Sequence, residues 1–267
     1  MSEIWMRGNG PLEGEVKVQG SKNAALPMMA AAVLHEGRTV LHNCPRIADV
    51  FEMEAILRSM GVKTAWSGHT LELDCNKICE TGIPGEETRT MRSSILLLGS
   101  MLGRCKRIRI GYPGGCTIGA RPVDLHLDAM KKMGVLIRET EGEICGECPE
   151  GLSGAHIHFP ISSVGATENA LLAGVTARGE TLLENCALEP EIMHLCHFFT
   201  GDGSGNPWDR NKKNLDAQSR GFAGCRIYDS YRPDRSGNLS VCCCSHKRSY
   251  RPEGCRSAGN EICTSGI

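Results

Sequence analysis

A unit of helix, strand, helix and strands recurs along the first 201 residues, and its joints repeat almost letter for letter. KNAALPMMAAAVLHEG (22–37) reads as a helix closed by Gly37, RTVLHNC (38–44) as a strand, and DVFEMEAILRSMG (49–61) as an amphipathic helix stopped by Gly61. VKTAWSGHTLELD (62–74) follows as a hairpin-like pair of strands. A second pass runs through the helix TMRSSILLLGSMLGRC (90–105), the strand KRIRIG (106–111) and the helix PVDLHLDAMKKMG (122–134). A third begins at VGATENALLAGVTARGE (164–180) and continues with TLLENC (181–186) and the helix EPEIMHLCHFF (189–199). The joints LHNC and LLENC match closely. Repeats of this size predict related α/β units packed side by side.

After Gly201 the pattern stops. Asp202 to Ile267 hold seven residues of Ile, Leu, Val, Met or Phe, and Arg, Ser, Gly and Cys dominate. A disordered basic tail is one reading, but the run Cys242-Cys243-Cys244 and isolated Trp and Tyr residues fit a solvated tail poorly. The repeat supplies a sharper one. Met60-Gly61 follows Cys44 by 16 residues, and 16 beyond Cys186 stands Asp202-Gly203-Ser204. A one-base shift of suitable codons turns that triplet into Met-Gly-Ala and carries DGSGNPWDRNKKN into MGAGIRGIGTKKI. The same frame turns SGNLSVCCC (236–244) into AGTYLCAAA and AGNEICTSGI (258–267) into QEMKSVHQEF. Three separated segments recover patterned text in one frame, so a frameshift near codons 199–202 is expected.

The remaining properties narrow the class. A net charge of −1 gives no reason to expect nucleic acid or an acidic membrane surface as a partner. No apolar run approaches the roughly 20 residues of a membrane span. MSEIWMRGNGPLEG lacks the basic flank and apolar stretch of a signal peptide, so a cytoplasmic protein is the expectation. Fifteen cysteines suggest a disulfide scaffold, but that fits small exported domains better than this chain, and six of the fifteen fall in the last 66 residues.

Four stretches could carry chemistry. GYPGGCTIGARPVD (111–124) puts Cys116 at the tip of a glycine-rich loop with Arg121 five residues on. A nearby guanidinium poises a thiol for proton transfer, whereas a buried small apolar group is the other common fate of a free cysteine. Lys22 and Asn23, in GSKNAALP, stand at a predicted helix start, where backbone amides and an ammonium suit phosphate. An ordinary capped surface helix fits them as well. Arg92, beside Arg89, is either an anion clamp or an exposed arginine. FPISSVGATENALLAG (159–174) places Ser162, Ser163, Val164 and Gly165 at another helix entry, as a phosphate cradle or a plain cap. CGEC (145–148) stands alone, without the two further ligands of a tetrahedral zinc site. The tail's Cys242 to Cys244, His246 and Cys255 imitate a metal cluster only if the frame is intact.

Taken together, GSKNAALP, TMRSS, GGCTIGARPVD and SVGATEN resemble, in order and approximate spacing, the UDP-N-acetylglucosamine 1-carboxyvinyltransferase family. The resemblance runs from about Gly10 to Gly201, less than half of a full family member. It implies an inside-out α/β fold of two similar domains, each of three repeats with helices inside and sheets outward, and an active site between them. Residues 22–201 would supply most of one domain, with its third repeat incomplete. Residues 1–21 would belong to the other domain, and 202–267 would be a frameshifted, disordered tail.

By the same resemblance, Cys116 would protonate the methylene carbon of phosphoenolpyruvate. Lys22 would bind its phosphate, with Asn23 beside it and Arg121 assisting. Arg92, the run Arg121, Pro122, Val123, Asp124, Leu125, and Ser163 with Val164 would hold UDP-N-acetylglucosamine. Ile161 stands where relatives are often basic. No metal or other cofactor is implied. The implied reaction adds the sugar's 3-hydroxyl to phosphoenolpyruvate and expels phosphate, the first committed step toward peptidoglycan. The family's carboxylate base comes from the second domain, so a polypeptide of these 267 residues is expected to be inactive, holding UDP-sugar weakly at most.

Overall fold

The computed structural model describes residues 3–8, 10, 13–16, 18–83, 85–89, 91–114, 123–140, 142–200, 225–229 and 238–243. The first unit is α1 (Lys22–Ala32), β1 (Arg38–Leu41), α2 (Ala48–Ser59), β2 (Lys63–Ser67) and β3 (Thr70–Asp74). A short strand, β4 (Gly82–Ile83), and α3 (Gly85–Arg89) lead to a 3-10 turn (Arg92–Leu96). The second unit follows as α4 (Leu97–Cys105), β5 (Arg107–Gly111), α5 (Asp124–Lys132), β6 (Leu136–Thr140) and β7 (Glu143–Glu147). After β8 (His156–His158) the third runs α6 (Val164–Gly174), β9 (Gly179–Glu184), α7 (Pro190–Thr200), β10 (Cys225–Asp229) and β11 (Asn238–Cys243).

The repeat read from the joints is a repeat of topology. In each unit the first strand pairs antiparallel with the third, and the third antiparallel with the second, giving the orders β1-β3-β2, β5-β7-β6 and β9-β11-β10. β4 joins β5 in parallel and β8 joins β9 in parallel, so the second and third sheets have four strands. Registers place Leu41 opposite Leu71, Ile110 opposite Ile144, and Leu183 opposite Leu239. The matching joints have matching backbones: Asn43 (φ 53°) and Asn185 (φ 52°) both take the left-handed conformation that Asn tolerates.

The helices lie inside. The first helix of each unit, α1, α4 and α6, touches the other two, and α6 is buried without a break from Ala166 to Gly174. A helix buried on all sides lies in a core. The sheets cover this bundle and turn faces to solvent: β2 and β6 have no fully buried residue. Gly99 of α4 lets the chains come close, since a Cβ there would fall 2.5 Å from the Asn169 carbonyl oxygen of α6. At the carboxyl end of α1, Arg104 donates to the carbonyls of Val33 (2.8 Å) and His35 (2.9 Å) and to that of Cys75 (2.7 Å). A cation there answers the unpaired carbonyls of a helix end.

Some elements differ from the sequence reading. α1 ends at Ala32, and β1 stops at Leu41 because Asn43 turns left-handed. The predicted helix 90–105 begins as the 3-10 turn and becomes α-helical from Leu97. Beyond residue 201, where no strand is expected from the sequence, β10 and β11 extend the third sheet. Their text does alternate over a few residues, with Leu239, Val241 and Cys243 at every second place. An antiparallel ladder is made by backbone groups, and so needs little more than that.

Candidate functional site

The starts of five helical elements gather at one end of the bundle. Asn23, the second residue of α1, donates from Nδ2 to Glu191 Oε1 of α7 at 3.2 Å. Glu191 and Glu189 act electrostatically on Glu168, in the second turn of α6. A Cβ at Gly165, in the first turn of α6, would lie 3.3 Å from Cε1 of His126, in the first turn of α5. The charge of Arg92, which opens the 3-10 turn, reaches the His126 ring. Unpaired N–H groups and aligned peptide dipoles make such an end receptive to anions.

The predicted residues that the structure describes take the following places. Lys22 forms an ion pair with Asp49, at the start of α2, at 2.7 Å, both side chains half exposed. Val123 is buried ahead of α5 and its carbonyl accepts from His126 and Leu127, while Asp124 and Leu125 open the helix. Ser163 caps α6, its hydroxyl oxygen accepting from the Ala166 N–H at 3.4 Å, and Val164 begins the helix. Ile161 is 70% exposed outside this cluster. Cys116, Arg121 and Pro122 lie outside the described residues.

Described residues border the segment that carries those three on both sides. In the first and third units, 42–47 and 185–189 connect the first strand to the second helix, whereas 112–123 makes the same connection in the second unit. In chain order, residues 112–123 therefore hold the joint position of the repeat. Their start is pinned: Tyr112 N–H donates to the Gly142 carbonyl and Gly114 N–H to the Thr88 carbonyl, each at 3.0 Å. A Cβ at Gly114 would sit 1.9 Å from the Arg89 carbonyl oxygen, so this close approach demands glycine. The described chain resumes at Val123, whose carbonyl holds the first turn of α5.

Sequence reasoning missed His126, Asn169, Glu168 and Glu191. Asn169 is fully buried and bridges three elements. Its Oδ1 accepts from the Gly99 N–H (2.7 Å), and its Nδ2 donates to the Ile95 carbonyl (3.0 Å) and faces His126 Nδ1 (3.1 Å). Burial, and then the Arg92 charge, push the His126 pKa down to about 4, so the ring is neutral. Burial, then the charges of Glu191 and Glu189, push that of Glu168 up to about 8. The signal was available as Thr167-Glu168-Asn169, three polar residues in an otherwise apolar helix. Buried polar groups need partners.

The CGEC pair is divided between environments. Cys145 lies in β7, while Cys148 is buried with its thiol 3.6 Å from the carbonyls of Leu102 and Lys106. His156 and His158 of β8 share a face and meet Glu184 Oε2 at 2.8 and 3.5 Å. Among the described residues no helix is long and apolar enough to cross a membrane.

Comparison with known proteins identifies the family and the fold. The family model of EPSP synthase (3-phosphoshikimate 1-carboxyvinyltransferase) matches residues 6–204. A UDP-N-acetylglucosamine 1-carboxyvinyltransferase of Chloroherpeton thalassium is 47% identical over 206 residues, covering 76% of this chain and 48% of the relative. One from Caldanaerobacter subterraneus, UDP-N-acetylglucosamine 1-carboxyvinyltransferase 2, is 45% identical over 205 residues, covering 76% and 49%. The chain thus spans about half the length of the curated relatives it matches. Among solved structures, the enolpyruvyl transferase NikO from Streptomyces tendae superposes with a TM-score of 0.67 at 20% identity, over 86% of this chain and 48% of that one. EPSP synthase from Acinetobacter baumannii gives 0.57 at 18% identity, over 86% and 47%. These two likenesses establish the fold. By the family match and the relatives together, the chain belongs to the EPSP synthase family of enolpyruvyl (carboxyvinyl) transferases.

Proposed function

We propose that this chain is the cysteine-bearing half of an enzyme that transfers enolpyruvyl from phosphoenolpyruvate to the 3-hydroxyl of UDP-N-acetylglucosamine, releasing phosphate, in the first committed step of peptidoglycan synthesis. The observation that carries the reading is the gathering of helix starts, with Lys22 and Arg92 among them, at one end of the bundle. Relatives that bear the name of this activity support the choice of substrates.

In this reading Lys22, Asn23 and Arg121 receive the phosphate of phosphoenolpyruvate, and Lys22 must exchange its Asp49 partner for that anion. Cys116 gives its proton to the methylene carbon, and the sugar hydroxyl then attacks the cationic carbon. Arg92, residues 121–125, Ser163 and Val164 hold the UDP-sugar. The carboxylate base belongs to a second domain, residues 22–201 to the first, and the cytoplasm is the place of action.

A second reading concerns the polypeptide of these 267 residues: a non-catalytic fragment with weak UDP-sugar binding. Its support is the N-terminal segment, where Ile4, Trp5, Met6, Val16 and Val18 are 80–92% exposed. Apolar residues so placed suit a segment, residues 1–21, that packs against a second domain. Residues 202–267 are taken as text from a shifted frame. Calorimetric titration with UDP-N-acetylglucosamine tests the binding site. The expected result is saturable binding, weakened about tenfold or more by Arg92→Ala, as for loss of a charged hydrogen bond. Equal affinity in Arg92→Ala, or no binding by the folded chain, overturns the reading.

A further inference from the structure

We propose that Asn169 is a positioning residue that holds His126 as the tautomer protonated on Nε2, so that His126 offers an N–H donor to a phosphoryl group seated at the start of α6. The inference rests on the reading above that the start of α6 receives the phosphates of a uridine nucleotide.

Asn169 has its amide orientation fixed by the Gly99 N–H, which points at Oδ1 from 2.7 Å. Its Nδ2 therefore carries two hydrogens toward the remaining neighbours, the Ile95 carbonyl at 3.0 Å and His126 Nδ1 at 3.1 Å. A proton on Nδ1 would set donor against donor, so Nδ1 accepts and the ring's hydrogen sits on Nε2.

That second nitrogen has no hydrogen-bond partner among the described residues, although His126 is 5% exposed. Its edge faces the first turn of α6, with Nε2 3.6 Å from the position of a Gly165 Cβ. There the N–H groups of Val164 and Gly165 precede the first intrahelical bonds, while Ala166 and Thr167 donate to Ser163. Two backbone donors without intrahelical acceptors and one neutral imidazole donor thus border the same first turn of α6. Arg92, on the 3-10 turn, is the charged group whose field reaches His126. It opposes an imidazolium and would itself attract the same anion. A neutral donor suits this place because its hydrogen stays available without the cost of a second buried cation beside Arg92.

The test is nitrogen-15 NMR of the histidine rings and backbone amides of the full 267-residue chain, with UDP as the probe. The expected result is an Nε2-protonated His126 whose shifts stay constant from roughly pH 5 to 8, against the ordinary histidine transition near 6.5. Saturating UDP should then move His126 Nε2–H together with the amides of Val164 and Gly165. Asn169→Asp should transfer the hydrogen to Nδ1. His126→Leu should weaken UDP about tenfold, and His126→Gln, which keeps an amide donor, should weaken it less. An Nδ1-protonated or titrating ring in the wild-type chain overturns the inference, whatever the variants do. Changes at Val164 and Gly165 without His126 overturn it and leave the functional reading standing. No change at any of the three overturns both.

Discussion

Asn23 at the start of α1 hydrogen-bonds Glu191 at the start of α7, 168 residues further along the chain. The contact closes the bundle between its first and third units and sets Glu191 where its charge acts on Glu168. One exposed hydrogen bond adds little stability of its own. Its consequence is electrostatic.

Glu168 therefore makes stability depend on pH. Its pKa is raised in the folded chain to about 8, so the folded state holds a proton that the unfolded state has released above its ordinary carboxylate value of 4.5. Stability from this group is complete below pH 4.5 and is lost as pH rises through about 8. A tenfold change in proton affinity corresponds to about 1.4 kcal/mol, so the loss across that window is on the order of 5 kcal/mol. Urea unfolding of wild type and Glu168→Gln at a series of pH values checks this. The wild-type curve should fall relative to the variant, and Glu191→Gln should shrink the fall.

The paired joints give a second prediction. Asn43 and Asn185 share a left-handed backbone, so Val at either place should cost about 1–2 kcal/mol. Glycine separates them. Asn43→Gly should be close to neutral, but Asn185→Gly also removes the side-chain bond to the Phe159 carbonyl at 2.8 Å and should cost about 1 kcal/mol more. Thermal melts of the four variants measure both differences.

At the α4–α6 crossing, Gly99→Ala would drive a methyl group into the Asn169 backbone and side chain, each 2.5 Å away. The helices must separate, and the hydrogen bond from Gly99 N–H to Asn169 must lengthen. A loss of about 3 kcal/mol is expected, as for overpacking together with a strained buried hydrogen bond. Denaturant midpoints check it, and a loss under about 1 kcal/mol would mean that the crossing yields more easily than so close an approach implies.

The repeat was legible because it is written in apolar periods and in two nearly identical joints. The helix starts at Lys22 and Val164 were legible for the same reason, each lying just after a short polar stretch. β6 and β7 were not singled out, since LIRET and EICGE differ in pattern and pair through their backbones. The site was legible as separate motifs but not as an arrangement. Nothing local in the text says that His126 meets Asn169, 43 residues away, or that Lys22 pairs with Asp49. Such partners are chosen by helix packing. Glu168 and Asn169 could have been suspected from polarity inside a buried helix, whereas β10 and β11 depend on a sheet edge that only the third unit's fold provides.

The frameshift proposal has its own check. Resequencing the DNA around codons 195–205 should return a one-base difference in independent isolates, restoring Met-Gly-Ala in place of Asp202-Gly203-Ser204. An unbroken frame in every isolate, with no patterned alternative, would exclude it.

On the proposed function, these residues carry the proton donor and anion-binding wall of an enolpyruvyl transferase but need a second domain for the base. The decisive assay is phosphate release by the purified 267-residue chain, given phosphoenolpyruvate and UDP-N-acetylglucosamine. No release above the enzyme-free blank is expected. Release that disappears in Cys116→Ser would contradict the need for a second domain.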